Sequence, residues 1–247
     1  MEYALWAPLY EQIARDLGFP FEREELGRDR LDALLPAEAR VRPLERVRDR
    51  LRGRDVVVVG AAPGAGPPPL WRLPAGHDRI AVVAADSATG ACLDAGIVPT
   101  AIVTDLDGPV PPEVTANRRG ALVVVHAHGD NLAAVEEWVP QFPGELVGSW
   151  AGPPTTSLID VGGFTDGDRA TYLADASGAR SILLWGFDFS HVDESDEATK
   201  QRKSAKLRWA ERALDELVSR GHTPIRVWAR DGSTSAYPLG KSVESTR

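Results

Sequence analysis

From Leu9 to Gly18 the segment LYEQIARDLG sets an apolar residue at about every third or fourth position and stops at a glycine; REELGRDRLDALLP and AEARVRPLERVRDRLRG repeat the spacing and break at Pro36 and Gly53. This predicts a helical N-terminal segment over residues 1–53. After Arg54 the period changes. DVVVVG (55–60), RIAVVAAD (79–86), AIVTDLD (101–107), ALVVVHAHGD (121–130), ELVGSW (145–150), RSILLWGFDF (180–189) and PIRVWAR (224–230) are short apolar runs with little polar alternation, as expected of strands covered on both faces. SATGACLDAG, NLAAVEEWV, DGDRATYLADASG and the long DEATKQRKSAKLRWAERALDELVSRG read as helices between them. The expected fold class is α/β, a doubly wound, mostly parallel sheet spanning residues 54–231, with the helical segment as an appendage. Residues 232–247 read as a tail, frayed or adding a loosely held strand.

In such sheets ligands collect at the carboxyl ends of the strands, where loops converge and helix N-termini point inward. The polar residues gather there. The first strand ends in GAAPGAG (Gly60 to Gly66), the second in Asp86, the third in Asp105 and Asp107, the fourth in His126, His128, Asp130 and Asn131, and the run 180–189 in Asp188. Acids crowded on adjacent strand ends repel unless a cation lies between them, and an all-oxygen donor set suits magnesium. The glycine loop is neither the dinucleotide fingerprint nor a phosphate loop ending in Gly-Lys-Ser/Thr, so it licenses only a tight turn or a close approach to a ligand. Asp86 before Ser87 would serve equally well as a helix cap. His126 and His128 fall on one face of a strand and fit either zinc with Asp130 or plain hydrogen bonding. In GGFTDGDRA (162–170), Thr165 or Asp166 suits an N-cap and Asp168 the first turn. Capping leaves the other residues unexplained, so a substrate contact is expected as well, with Phe164 against a flat ring and a carboxylate accepting paired N–H donors.

Composition removes several function classes. The chain of 247 residues carries a net charge of −8, against the basic face of a nucleic-acid binder. No apolar run approaches the roughly 20 residues of a membrane-spanning helix and nothing resembles a signal peptide, so a cytoplasmic, membrane-free protein is expected. Cys92 stands alone, which excludes an internal disulfide and reads as a small buried hydrophobe. Of four lysines, Lys200, Lys203 and Lys206 fall in KQRKSAK with Arg202. That cluster is either a solvated helix face or a cationic patch for phosphate oxygens.

Two resemblances bear on TDLDG (104–108). It resembles the first motif of the haloacid dehalogenase superfamily, which would make Asp105 a nucleophile of a phosphatase and Asp107 its acid and base. Against this, two strands precede it, Pro109 follows where a hydroxyl or small residue is expected, and no lysine comes near until Lys200. VVAADSATGACLDAGIVPTAIVTDLDG (82–108) resembles the thiamine pyrophosphokinase pattern. The whole order, with TDLDG, VHAHGDN, GGFTDGDRA, LLWGFDFS and KSAKLRWA, is similar to the archaeal 6-hydroxymethyl-7,8-dihydropterin pyrophosphokinase family from about Trp6 to about Arg230. The glycine loop departs from it, lacking a serine after its proline.

The second resemblance implies a thiamine pyrophosphokinase-like catalytic domain. Its activity would be transfer of diphosphate from ATP to 6-hydroxymethyl-7,8-dihydropterin with release of AMP, using Mg²⁺, with ATP as co-substrate. Asp105, Asp107 and Lys206 would be catalytic. Asp105, Asp107 and Asp130 would hold the metal, with Asp86 the alternative third ligand. Gly60, Gly64, Asp86, Ser87, Lys203 and Lys206 would bind the nucleotide, and His128, Asn131, Phe164, Thr165, Asp166 and Asp168 the pterin. The polar stretch HVDESDEATKQRKS (191–204) would act as a lid that excludes water. Another heterocyclic alcohol as acceptor, or a nucleotide sensor without catalysis, stays open. The partners expected are small molecules; a homodimer is permitted, with Trp6, Leu9 and Tyr10 covering this chain's own sheet or a partner's.

Overall fold

The computed structural model describes residues 3–70, 79–192 and 195–238. Three helices come first: α1 (Tyr3–Leu17), α2 (Phe21–Leu34) and α3 (Pro43–Leu51). The chain then runs β1 (Asp55–Val59), β2 (Ile80–Ala85), α4 (Ala88–Asp94), β3 (Ala101–Thr104), α5 (Val110–Arg118), β4 (Leu122–Ala127), α6 (Leu132–Trp138), β5 (Leu146–Trp150) and β6 (Leu158–Ile159). It ends with α7 (Asp166–Ala176), β7 (Ser181–Trp185), α8 (Glu197–Ser219), β8 (Ile225–Trp228) and β9 (Thr234–Ala236). The strands form one sheet in the order β6-β5-β4-β3-β2-β1-β7-β8-β9. All neighbours pair in parallel except β8 and β9, so the tail supplies a short antiparallel edge. The chain winds outward from β1 to β6, then returns to the other side of β1 as β7. The expected doubly wound sheet is present.

Alternating side chains of the apolar runs feed cores on opposite faces. Val56 and Val58 pack with Ala81, Val83, Val103 and Val124 beneath α1, α3, α7 and α8. Val57 and Val59 face the other way, with Ala84, Ala88 and the buried Cys92. Further along that second face, Ile102, Val123 and Val125 meet Leu31 and Leu35 from the end of α2. Both faces being covered explains why these strands lack polar alternation. The N-terminal helices share these cores. Trp6 is 1% exposed and packs edge-on against Tyr172 of α7 at 5.3 Å, so the aromatic residues of α1 cover their own chain.

One helix departs from expectation. The sequence reading assigns no helix to VPPEVTANR, which forms α5 although Pro111 and Pro112 stand second and third in it. Pro111 and Pro112 occupy the first turn, where backbone N–H groups have no intrahelical acceptor to lose, so the helix starts there at no cost in hydrogen bonds. β6, only two residues long, was also not anticipated. No helix among the described residues is long and apolar enough to cross a membrane.

Candidate active site at the carboxyl ends of β1 to β4 and β7

The end of β3 is built from four residues with distinct tasks. Thr104 Oγ1 accepts a 2.9 Å hydrogen bond from the Leu106 amide and donates to Asp86 Oδ1 at 3.3 Å. Leu106 takes a left-handed conformation, φ 66°, and buries its side chain in the core under α5 and α6. That conformation costs a branched residue on the order of 1–2 kcal/mol, offset by the burial. The sharp turn throws the carboxylates of Asp105 and Asp107 on either side of it onto the rim. Asp86, just past β2, is also left-handed at φ 43°. A Cβ added to Gly108 would lie 2.2 Å from Asp86 Oδ2, so only glycine admits the Asp86 carboxylate beside this turn. Each of Asp86, Asp105 and Asp107 offers a carboxylate oxygen, all within 4.8 Å of one another. Among the described residues this is the one group of three His, Cys, Asp or Glu placed to hold a metal ion.

Asp130 is not part of this trio. Its carboxylate faces Arg23 at 3.1 Å and Arg202 at 3.9 Å, an ion-pair cluster that draws it toward α2 and α8. The third acid beside Asp105 and Asp107 is Asp86, from the neighbouring strand end. The two histidines do not share a metal position either. His126 is buried against the Ser149 hydroxyl at 3.0 Å, and burial first, then the charges of Arg169 and His128, hold it well below the usual histidine range. His128 Nδ1 accepts from the Asp130 amide at 3.2 Å, which leaves Nε2 to carry the proton facing Asp105 Oδ2 at 3.4 Å. Asn131 donates from its side-chain amide to the carbonyls of Asp105 (2.7 Å) and His126 (2.8 Å) and accepts from the His128 amide at 3.0 Å. Its side chain is thereby committed to locking the β3 and β4 loops together.

The electrostatics of the trio are uneven. For Asp105 burial pushes upward, but the hydrogen bond from His128, foremost among the opposing influences, holds the carboxyl at about 2. Asp107 goes the other way, to about 6, through burial and the negative charge of Asp105, with Lys206 opposing. Asp86 is raised by burial foremost, with Asp105 adding to it. Beside Asp86 and Thr104 lies Glu113 of α5, fully buried and pushed to about 9 by burial and then by the charge of Asp86. A shared site that strains against its own negative charge is the arrangement a divalent cation relieves.

The loop before α7 uses its acids differently. Thr165 is the N-cap, and Asp168 closes a capping box: its carboxylate accepts from the Phe164 amide (2.6 Å), the Thr165 amide (2.7 Å) and the Thr165 hydroxyl (2.5 Å). Asp168 is fully buried behind the loop, so its contact is with the scaffold and not with a cleft. Asp166 lies on the rim, facing Arg169 at 3.3 Å, and burial with the charge of Asp105 raises it well above the usual carboxylate range.

Besides an open hollow of about 510 Å³ that Asp130, Asn131 and Arg202 line beside Asp107 and His128, two clefts meet at this rim. One, of about 150 Å³, runs from Tyr10, Phe19 and Glu24 past His128 and Phe164 to Asp105 and Asp107. Phe19 and Phe164 face each other with ring centroids 6.2 Å apart. The other, of about 420 Å³, lies at the point where the chain reverses direction across the sheet, between the loops after β1 and β7. Gly60 and Gly186 line it, and their backbones touch so closely that a Cβ on either would strike the other's carbonyl, at 2.6 and 2.5 Å. Asp86, Ser87, Lys203 and Lys206 line it too, whereas Gly64 turns away toward Arg230 and Lys200 is exposed outside it. Asp107, Thr165, Asp166 and Lys206 border both clefts. Of the expected lid, residues 193 and 194 lie outside the described residues, and from Glu197 onward it is not a loop but the start of α8. Glu24 and Glu113 went unnoticed in the sequence; each is an acid on a helix, where no local pattern distinguishes it from a solvated one.

The family described as 6-hydroxymethylpterin diphosphokinase MptE-like matches residues 34–194. The chain belongs to that family. It is 38% identical to a 6-hydroxymethyl-7,8-dihydropterin pyrophosphokinase of Methanothermobacter thermautotrophicus, over 92% of this chain and 100% of that protein. Proteins of the same name from Pyrococcus furiosus and Methanocaldococcus jannaschii are 33% and 34% identical, over 91% and 88% of this chain and 98% and 96% of theirs. The family resemblance read from GGFTDGDRA and its companion motifs is borne out. Among solved structures, a thiamine pyrophosphokinase from Bacillus subtilis aligns over 70% of this chain and 60% of its own at 17% identity, with a TM-score of 0.35.

Proposed function

We propose that this protein transfers the terminal diphosphate of ATP onto the hydroxymethyl group of 6-hydroxymethyl-7,8-dihydropterin and releases AMP. The observation that carries the reading is the meeting of two unlike clefts at one acidic trio. The narrow cleft with Phe19 and Phe164 takes the flat acceptor, and the wider cleft at the sheet's reversal takes the nucleotide. Asp86, Asp105 and Asp107 are suited to hold Mg²⁺, which when bound neutralises phosphate oxygens and orients them. In the transfer, a bond forms between the acceptor's hydroxymethyl oxygen and the β-phosphorus while the bond from that phosphorus to the oxygen of the α-phosphate breaks; AMP leaves with that oxygen, and the hydroxyl proton passes to solvent. The chain's own work is positioning and charge. Lys206 and Lys203 approach the phosphates from α8, the Asn131 lock fixes the two strand ends, and His128 steadies the Asp105 carboxylate in its ionised form.

The test is incubation with ATP, Mg²⁺ and the reduced pterin alcohol. AMP and a pterin diphosphate in equal amounts are expected. Inorganic phosphate released from small phosphoesters would instead support the phosphatase with Asp105 as nucleophile, and unchanged ATP the sensor. Thiamine tried in place of the pterin decides between the two heterocyclic acceptors.

A further inference from the structure

The N-terminal helical segment contributes one wall of the acceptor cleft, and a carboxylate stands in that wall without a full set of partners. Glu24 of α2 is 4% exposed and lines the narrow cleft together with Tyr10, Phe19 and Phe164. Its Oε1 lies 3.5 Å from the Gly129 amide, at the limit of a hydrogen bond, the Tyr10 hydroxyl stands beside the carboxylate, and Oε2 is shielded from solvent with no partner in hydrogen-bond geometry. Burial raises its pKa, while His128, the Gly129 amide and Arg169 favour the ionised form. A buried acceptor left unmade is costly, so a fold that retains one in a ligand cavity has a use for it.

Its position is built, too. α2 comes down on the loop after β4 at two glycines. A Cβ on Gly129 would fall 2.3 Å from Arg23 Cβ, and one on Gly27 would meet the His128 backbone at 3.0 Å. Arg23, beside Glu24, pairs with Asp130 of the same loop at 3.1 Å. These contacts fix the Glu24 carboxylate in the wall of the cleft, beside the loop after β4.

Resting on the acceptor reading above, we propose that Glu24 reads the edge of the ring that enters this cleft, accepting two adjacent N–H donors, one on each carboxylate oxygen. A 2-amino-4-oxopyrimidine edge offers that pair, its ring N3–H beside an N–H of the 2-amino group. The aminopyrimidine of a thiamine-type alcohol alternates donor and acceptor instead and would set a ring nitrogen lone pair against a carboxylate oxygen. Glu24 is thus a specificity residue for 2-amino-4-oxo heterocycles and takes no part in phosphoryl chemistry, which belongs to the acidic trio.

Equilibrium binding of 6-hydroxymethyl-7,8-dihydropterin and of its 2-deamino analogue, to the wild type and to Glu24→Gln, tests this, with turnover measured in parallel. The wild type is expected to prefer the 2-amino ring by about tenfold or more, and Glu24→Gln to lose most of that preference while its KM for ATP stays within about twofold. Equal wild-type affinity for the two rings, no binding of either, or an unchanged preference in Glu24→Gln would each overturn the proposal. So would a variant that weakens both rings in parallel, since that marks a structural role. Selective, Glu24-dependent binding without AMP formation would sink the transfer reading alone and leave this one standing.

Discussion

Two acidic loops face each other across the rim, and they treat their carboxylates in opposite ways. In the loop before α7, Asp168 accepts three hydrogen bonds from its own turn and is fully buried. In the turn after β3, Asp107 receives no comparable support, stands beside Asp105 and Asp86, and is pushed up to about 6. Both segments carry Asp-x-Asp, and both sit at an α/β junction. What separates them is whether the protein itself satisfies the acid. A carboxylate filled by local donors is scaffold, and one left crowded and short of donors is prepared for a ligand that the chain does not supply.

The largest effect expected from this contrast is on Asp105→Asn and Asp107→Asn. Each is expected to lower AMP formation by on the order of a hundredfold or more, because each removes a full charge from the metal-holding set. The melting temperature of Asp107→Asn is expected to hold or rise, since repulsion within the trio falls, whereas that of Asp105→Asn is expected to fall, since the His128 contact that favours the ionised carboxylate is lost. Retention of most activity by both variants would end the assignment. Lys206→Ala follows, with KM for ATP raised about tenfold and affinity for the pterin alcohol little changed, as expected for a cation whose partner is phosphate. The reverse pattern would place Lys206 with the acceptor. Gly108→Ala is the subtler probe, because it touches no charge and only evicts the Asp86 carboxylate from its seat 2.2 Å from the new Cβ. Activity several-fold lower and a rise in the Mg²⁺ concentration needed for half-maximal rate are expected. An unchanged Mg²⁺ requirement would remove Asp86 from the trio's task.

On the scaffold side, Asp168→Ala deletes acceptors for two backbone amides and a hydroxyl, worth about 2–4 kcal/mol together. In a chain of this size that lowers the melting temperature by roughly 5–15 °C. Unaltered melting with a raised KM for the pterin alcohol would return Asp168 to the substrate.

The sheet was legible because β-branched apolar runs such as DVVVV and LVVVHA admit few alternatives, and the acids at their ends followed from the rule that ligands gather at carboxyl termini of strands. Choosing between Asp86 and Asp130 was beyond the sequence. Both strands that carry them neighbour β3, and the choice turns on Arg23 and Arg202, which arrive from helices far away in the chain. Glu24 was hidden for the same reason, since the face that α2 turns inward is set by its docking on Gly129. Asn131 and Asp168, read from the sequence as substrate contacts, are engaged with backbone and loop, and only the three-dimensional tally of their hydrogen bonds reveals it. Proline in the first turn concealed α5, and with it the buried Glu113.

Asp160 lies between the two kinds of acid and gives the finest test of the contrast. Its Oδ1 accepts from the Gly162 amide at 2.8 Å, while its Oδ2 has no hydrogen-bond partner in a small, mostly apolar pocket that His126, Ser149 and Arg169 also line. Burial raises it from 3.8 to about 7, against the opposing Gly162 amide and Arg169 charge. Between those two values the folded protein keeps a proton that the unfolded chain has released. Stability from this group is therefore present at low pH and is lost as pH rises through that window. Asp160→Asn keeps the acceptor toward Gly162 and cannot titrate. The melting temperature of the variant minus that of the wild type is then expected to climb by a few degrees from about pH 4 to about pH 7.5 and to level off above it. A difference that stays flat across that range would mean that one hydrogen bond and a nearby arginine already suffice for a buried carboxylate here, and the line drawn between satisfied and waiting acids would have to move.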